Sequence, residues 1–266
     1  MPRFVASHPE GYEPYVGRWS RRLAPVFVGF AGVTARERVL DVGCGTGNLT
    51  RALRAAQAIV TGIDLSAPYI AYARQHTSDP SVTFEVGDAQ HLPYPDHTFD
   101  RALSMLALDT MPDAARAVAE MRRVTRPGGT VAALVNDFRC GWAPFSMLLD
   151  TAAVLDPGAS AVRDQVSSEP LRWPGGLAAL FRTSGFAEVV EGHISTLFEY
   201  ASFADYWSSF LTGQGIIGSY VASLAVTPRK DLERHVRLAY LCGRPDGPRG
   251  FTTWCYVVRS DVLAVA

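Results

Sequence analysis

The run Val39-Leu40-Asp41-Val42-Gly43-Cys44-Gly45-Thr46-Gly47 constrains this chain more than any other feature. An apolar segment, residues 38–42, enters three glycines at alternate positions, and a short helical pattern at 49–56 follows directly. Glycine reaches positive φ without steric cost and lets backbone N–H groups close on a ligand. The same alternation continues downstream. Residues 59–63 read as a second buried strand, and 68–76 as a helix with Ser66 as N-cap and Pro68 in its first turn. Strands are expected at 82–86 and 99–106. Asp113 caps a helix at 114–123 that is apolar at 114, 117, 118 and 121. Pro127-Gly128-Gly129 is expected to stop it before a fifth strand at 130–135. Strands that are nearly continuous apolar runs, joined through helices, require a parallel sheet covered on both faces. The expected fold is therefore α/β, a doubly wound, Rossmann-like, mostly parallel sheet, with ligands beyond the carboxyl ends of its strands.

Two acids give this loop its chemistry. Asp64 ends the second strand 17 residues after Gly47, where a carboxylate can accept from both hydroxyls of a ribose. Asp41 ends the first strand. A dinucleotide would bring a doubly negative pyrophosphate to this loop, and Asp41 would repel it. Asn48 also stands where the third glycine of a G-x-G-x-x-G fingerprint would be. S-adenosylmethionine brings an ammonium and a sulfonium instead, which an acid attracts. The sign of the charge favours S-adenosylmethionine as cofactor.

The order and spacing of four segments carry a family resemblance. They are VLDVGCGTGNLT (39–50), GIDLS (62–66), VGDAQHLPYPDHTFD (86–100) and EMRRVTRPGGTV (120–131). The chain resembles the class I S-adenosylmethionine-dependent methyltransferases, in the branch similar to the ubiquinone and menaquinone biosynthesis C-methyltransferases. The matching segments fall within about 39–136. The resemblance implies seven strands, the last of them (251–259) antiparallel. It implies that Gly43, Gly45 and Gly47, with Cys44 and Thr46 between them, line the cofactor's amino acid part. Asp64 would hold the ribose, with Leu65 on the adenine and Ser66 beside it. Gly87, Asp88 and Ala89 would meet the adenine edge, and Ser104, Met105 and Leu106 would lie under the methionine portion. The residues themselves agree for Asp88, which ends the third strand at the same sheet edge as Asp64; the competing reading is an Asx-turn.

Beyond residue 136 the pattern loosens. A helix at 177–184 ending at Gly185, a long strand at 187–200, and helical stretches over 203–243 broken near 213–218 are expected. The whole chain, 1–266, reads as one domain with a cofactor-binding core at 38–136. Insertions at 138–175 and 203–250 would form a helical cap. Residues 1–30 would form an N-terminal segment that similar methyltransferases fold across the cofactor as a lid. There Tyr15 and Arg18 could meet the cofactor, Arg18 at its carboxylate, and Tyr12 the substrate. The competing reading is an amphipathic helix packing Trp19 and Leu23 on the sheet. Around the methyl group, Asp137 and His193 are the candidate bases, and Asp137 and Trp142 are candidate substrate contacts. Asp137 as a turn cap and His193 as a structural histidine are their alternatives.

Composition narrows the partners. The formal net charge is −1, so no global field draws the chain to nucleic acid or an anionic membrane. The [DN]-P-P-[YF] motif of methylation at nucleobase amino groups is absent after the fourth strand. Cysteines 44, 140, 242 and 255 form no C-x-x-C pair, and the histidines show no metal-site spacing, so no metal and reduced thiols are expected. No apolar leader and no stretch long enough to span a bilayer is visible, which gives a cytoplasmic location. The expected activity is methyl transfer from S-adenosylmethionine to a small-molecule acceptor, releasing S-adenosylhomocysteine. Two alternatives stand beside it: a cofactor-binding regulator without catalysis, and a nucleotide-dependent oxidoreductase. The acceptor, its reacting atom and the oligomeric state are not encoded in any motif of the chain.

Overall fold

The computed structural model describes residues 8–138 and 141–263. Residues 1–7 of the expected lid segment, and Cys140 within the expected cap, lie outside the described residues. Seven strands form one sheet: β1 (Arg38–Val42), β2 (Ile59–Asp64), β3 (Val82–Val86), β4 (Phe99–Met105), β5 (Thr125–Asn136), β6 (Val190–Tyr200) and β7 (Arg249–Asp261). Their order is β3-β2-β1-β4-β5-β7-β6. The first five strands pair in parallel. β7 pairs antiparallel with both β5 and β6, as the sequence led one to expect of the last strand.

Side-chain period two explains the two-faced core. Val39, Val60, Leu103, Ala132, Leu134 and Val257 point to one face, where they meet Trp19, Leu23 and Phe27. Leu40, Val42, Ile63, Ala102, Val131, Ala133 and Val258 point to the other, against Ala117, Val118 and Met121. Both faces are apolar because both carry helices, so β1 and β5 are buried almost throughout.

The helices follow the expected signals closely. They are α1 (Pro9–Tyr12), α2 (Arg18–Ala31), α3 (Asn48–Ala55), α4 (Ala67–His76), α5 (Ala114–Val124), α6 (Ala143–Leu155), α7 (Pro157–Ser167), α8 (Gly176–Thr183), α9 (Phe203–Phe210), α10 (Gly215–Ser223) and α11 (Val226–Leu241). Ser66 caps α4 by accepting from the Tyr69 N–H, and Asp113 caps α5 by accepting from the Arg116 N–H. Gly185 takes a φ of +88° just past α8. A π-helical turn, Glu13–Gly17, joins α1 to α2.

Most boundaries fall within two residues of expectation; the starts of β5 and β6 differ by more. The glycine pair after α5 does not delay the fifth strand to residue 130. β5 begins at Thr125, and its register against β4 jumps from Phe99↔Thr125 to Arg101↔Thr130. Pro127-Gly128-Gly129 is thus a bulge inside the strand, with Gly128 at φ +75°. The bulge is held by backbone bonds exchanged with Val262. At the other edge, β6 starts at Val190 rather than 187, where its ladder with β7 begins at Val190↔Arg259.

Candidate functional site

The strand order reverses between β1 and β4: the chain builds β2 and β3 to one side of β1, then β4 and β5 to the other. A cavity of about 690 Å³ lies beyond the carboxyl ends at this point. Its lining comes from every strand end from β3 to β5 and from Tyr12, Tyr15 and Val16 near the N-terminus. Gln165, Val166 and the 168–172 stretch, and Gly215–Ile217, complete it.

The glycine loop forms one wall. Gly43, Gly45 and Gly47 have φ of +73°, +54° and +83°. A Cβ on Gly43 would come within 2.5 Å of the Ala107 Cβ, so this position cannot carry a side chain. A Cβ on Gly45 would meet nothing nearer than Tyr69 at 3.7 Å, because it would point into the cavity. The Gly45 N–H donates to Asp64 Oδ2 at 2.8 Å, and the Ser66 N–H donates to Asp64 Oδ1 at 2.8 Å. Each Asp64 oxygen keeps a lone pair for a ligand. Burial raises the Asp64 carboxyl above its ordinary pKa, against the pull of those two backbone donors.

Asp41 lies below the loop and is 1% exposed. Its Oδ2 accepts from Thr50 Oγ1 at 2.6 Å, while its Oδ1 has no partner. Burial pushes its pKa up to about 7; the Thr50 bond opposes this and the charge of Asp64 adds to it. A buried carboxylate oxygen without a donor is costly unless a ligand supplies one. Asp41, Asp64 and the open space at Gly45 fit a ligand with an ammonium at one end and a ribose at the other.

Asp88 lines the same cavity on the β3 side. It accepts from the Gln90 N–H at 2.8 Å, so the Asx-turn is present as well. Burial opposes its ionisation, but hydrogen bonds from Gln90 and the neighbouring His91 hold its pKa below the ordinary value. Leu65 stands at the rim, 60% exposed, and Gly87 and Ala89 complete this end. Met105 and Leu106 line the cavity after β4. Leu106 sits at φ +60°, a strained conformation for a branched residue, and its N–H donates to Leu134 O.

Several sequence candidates stand elsewhere. Ser104 is fully buried and Gly47 faces Phe84 and Arg51; neither is in the lining. Arg18 is turned away from the cavity. Its guanidinium pairs with Asp205 at 2.8 Å and lies over the Trp19 and Tyr200 rings. Asp137 accepts from Trp254 Nε1 and Tyr256 OH, at 3.2 and 3.1 Å, and ties the end of β5 to β7 outside the lining. His193 lies on β6 against the Tyr256 ring, also outside it. Tyr12, Tyr15 and Trp142 do line the cavity; Tyr12 packs on Tyr69 and Tyr15 on Phe145 and Phe210. Burial raises the pKa of both tyrosines, so they serve as neutral walls.

The sequence reading missed Asp109, Asn136 and Arg172, all of which line the cavity, with Arg172 paired to Asp109. Asp109 lies in the turn after β4 and Asn136 ends β5, so their positions were a signal. Arg172 ends a short 3-10 turn, Pro170–Arg172, in a stretch with no periodicity, and nothing in the sequence marks it. Among the described residues no cluster of His, Cys, Asp or Glu could hold a metal ion, and no helix is long and apolar enough to cross a membrane.

Comparison with known proteins bears on this geometry. A family profile described as a methyltransferase domain matches residues 40–133. The chain is 34% identical over 146 residues to 27-O-demethylrifamycin SV methyltransferase of Amycolatopsis mediterranei, covering 53% of each chain. It is 34% identical over 169 residues to demethylmenaquinone methyltransferase of Beutenbergia cavernae, covering 59% of this chain and 69% of that one. It thus spans about half the length of the first relative and just over two thirds of the second. Its fold is similar to that of a putative methyltransferase from an antibiotic biosynthesis pathway of Anabaena variabilis. The TM-score is 0.60 at 17% identity, covering 90% of this chain and 96% of that one.

Proposed function

The chain belongs to the class I S-adenosylmethionine-dependent methyltransferases, and from that premise we propose that it transfers a methyl group from S-adenosylmethionine to a small-molecule acceptor, releasing S-adenosylhomocysteine. One observation carries the reading: the cavity does not end at the cofactor wall. It runs past β4 into a lobe lined by Phe138, Trp142, Arg172 and Ile217. Its volume, about 690 Å³, is within the ~300–1,000 Å³ of small-molecule sites. A cofactor-binding regulator has no use for an open lobe at that end. The unpartnered Asp41 oxygen argues against a dinucleotide and an oxidoreductase.

When bound, the cofactor would supply a methyl group activated on a sulfonium, whose carbon bonds to the acceptor atom as the carbon–sulfur bond breaks and S-adenosylhomocysteine leaves. The chain's own part is positioning. Asp41 Oδ1 would accept from the ammonium, the Asp64 oxygens from the ribose hydroxyls, and Asp88 from the adenine amine. Gly43, Cys44, Gly45 and Thr46 would shape the amino acid part, and Met105 and Leu106 its floor. Tyr12, Tyr15 and Val16 close the cavity from the N-terminal side, which supports a lid there, whereas α2 packs Trp19 and Leu23 on the sheet, as the competing reading of this segment has it. Helices from 138–175 and 203–250 supply the far lobe, as a cap on the 38–136 core would. Asp137 and His193 are not bases in this reading, because neither reaches the cavity. The near-neutral charge and a lobe whose one cation among the described residues, Arg172, is already paired to Asp109 support a small molecule over a nucleic acid, and the unpaired thiols of Cys44, Cys242 and Cys255 suit a cytoplasmic location.

The test is turnover. Protein incubated with S-adenosylmethionine and panels of hydroxylated and quinol ring compounds should form S-adenosylhomocysteine only when an acceptor is present. Tight cofactor binding without turnover across such panels, in a protein whose far lobe is sealed in a crystal structure with cofactor, would favour the regulator.

A further inference from the structure

The far lobe contains two hydrogen-bond acceptors that the cofactor assignments above do not use. Asp109 lies in the short 3-10 turn Leu108–Thr110 after β4, and Asn136 is the last residue of β5. Both line the cavity, and they are 2% and 7% exposed. Each has a buried oxygen, Oδ1, without a hydrogen-bond partner. Asp109 cannot swing to satisfy its own oxygen. Its Oδ2 accepts from Arg172 Nε at 2.8 Å, and Arg172 is held in turn by donating from Nη1 to Val166 O at 2.7 Å. The Arg172 guanidinium also lies over the Phe138 ring at 4.6 Å. The pair is a rigid fixture of the wall.

Resting on the methyltransferase reading, we propose that Asp109 and Asn136 anchor the acceptor, and that the acceptor is a neutral, ring-bearing molecule with a hydroxyl group. Carboxylate and amide oxygens only accept, so the ligand must donate. An aliphatic amine would arrive as a cation next to Arg172, the only cation in the lining among the described residues. Asp109 and Arg172 already balance one another, and Glu169, also in the lining, has a partner. A hydroxyl donates without bringing charge. The walls around it, Tyr15, Phe138, Trp142 and Ile217, suit a flat apolar ring. Sheet order supports the division of labour. The acids assigned to ribose and adenine stand over β2 and β3 and the glycine loop over β1, whereas Asp109 and Asn136 follow β4 and β5 on the other side.

A site with buried acceptors rejects a ligand that lacks the donor far more strongly than an apolar pocket rejects a change of size. The probes are 2-naphthol and 2-methoxynaphthalene, titrated calorimetrically into protein saturated with S-adenosylhomocysteine. The wild-type chain is expected to bind 2-naphthol at least about tenfold more tightly than the ether. Asn136→Leu should reduce that preference to about threefold or less, with S-adenosylhomocysteine affinity unchanged. The double variant Asp109→Leu/Arg172→Met removes the ion pair as a whole, leaves no lone buried charge, and should do the same. Equal affinity for the two probes in the wild type, or binding of neither, overturns the proposal while the methyltransferase reading stands. So does a loss of S-adenosylhomocysteine affinity in these folded variants, which would give the two groups to the cofactor. Failure of the wild type to bind S-adenosylhomocysteine at all would remove both readings.

Discussion

Replacing Asp41 by asparagine separates what this carboxylate does to folding from what it does to binding. In the folded chain its pKa is about 7, against 3.8 ordinarily. The folded state therefore holds a proton that the unfolded chain has released between about pH 4 and 7. Stability falls as pH rises through that window, and the whole penalty is present above it. The difference corresponds to on the order of 4 kcal/mol above pH 7. Asparagine keeps the shape and an acceptor for Thr50 but does not ionise. Allowing about 1 kcal/mol for a weaker Thr50 bond, the variant should be more stable than wild type at pH 8 by about 2–3 kcal/mol. That is a rise in Tm of about 4–12 °C for a chain of this size. At pH 5 about 1.5 kcal/mol of the penalty is already present, because the unfolded chain has released its proton; the weaker Thr50 bond offsets most of it, and the two should melt within about 2 °C of one another. Binding moves the opposite way. The ammonium of S-adenosylhomocysteine binds the ionised form, so wild-type affinity should rise about tenfold from pH 6 to pH 8. The variant should bind at least about tenfold more weakly than wild type at pH 8, with no such rise, because a charge-assisted bond is lost. Differential scanning fluorimetry and calorimetric titration at pH 5, 6, 7 and 8 read both effects. A variant that is less stable at pH 8, or that matches wild-type affinity there, refutes the reasoning.

Three other perturbations have defined outcomes. Asp64→Ala should weaken S-adenosylhomocysteine binding by about 1–3 kcal/mol in a calorimetric titration, and it also releases the Gly45 and Ser66 N–H groups that the carboxylate now accepts from. Gly43→Ala places a Cβ 2.5 Å from the Ala107 Cβ at a φ of +73°, and should lower stability to urea by about 2–4 kcal/mol. Arg18→Ala should lower Tm, by removing the Asp205 pair and the packing on Trp19 and Tyr200, yet leave S-adenosylhomocysteine affinity within about twofold. A large affinity loss there would return Arg18 to the cofactor.

Much of this architecture was legible because local signals and tertiary demands agree. The strand at 82–86 was bounded to the residue, and the caps Ser66 and Asp113 named the starts of their helices. The bulge at Pro127–Gly129 was not legible. The glycines marked an interruption, but only pairing with β4 and β7 shows that the strand continues through it. The site divides the same way. The loop glycines and Asp41, Asp64 and Asp88 stand at strand ends, where the fold fixes the address from the sequence. Arg18 has a residue type that suits a cofactor carboxylate and Asp137 one that suits a base, and their partners decide otherwise: Asp205 for one, Trp254 and Tyr256 for the other. Those partners are 187, 117 and 119 residues away, a distance over which no motif speaks. Arg172 became visible only through its contact with Asp109, 63 residues upstream.

The central claim is that the cavity beyond β1 and β4 takes S-adenosylmethionine and its product rather than a dinucleotide. Calorimetric titration of the purified protein with S-adenosylhomocysteine, and separately with NADH, tests it directly. The account predicts saturable one-to-one binding of S-adenosylhomocysteine and no heat of binding from NADH under the same conditions. Binding of NADH that S-adenosylhomocysteine does not displace, or no binding of S-adenosylhomocysteine, would contradict it.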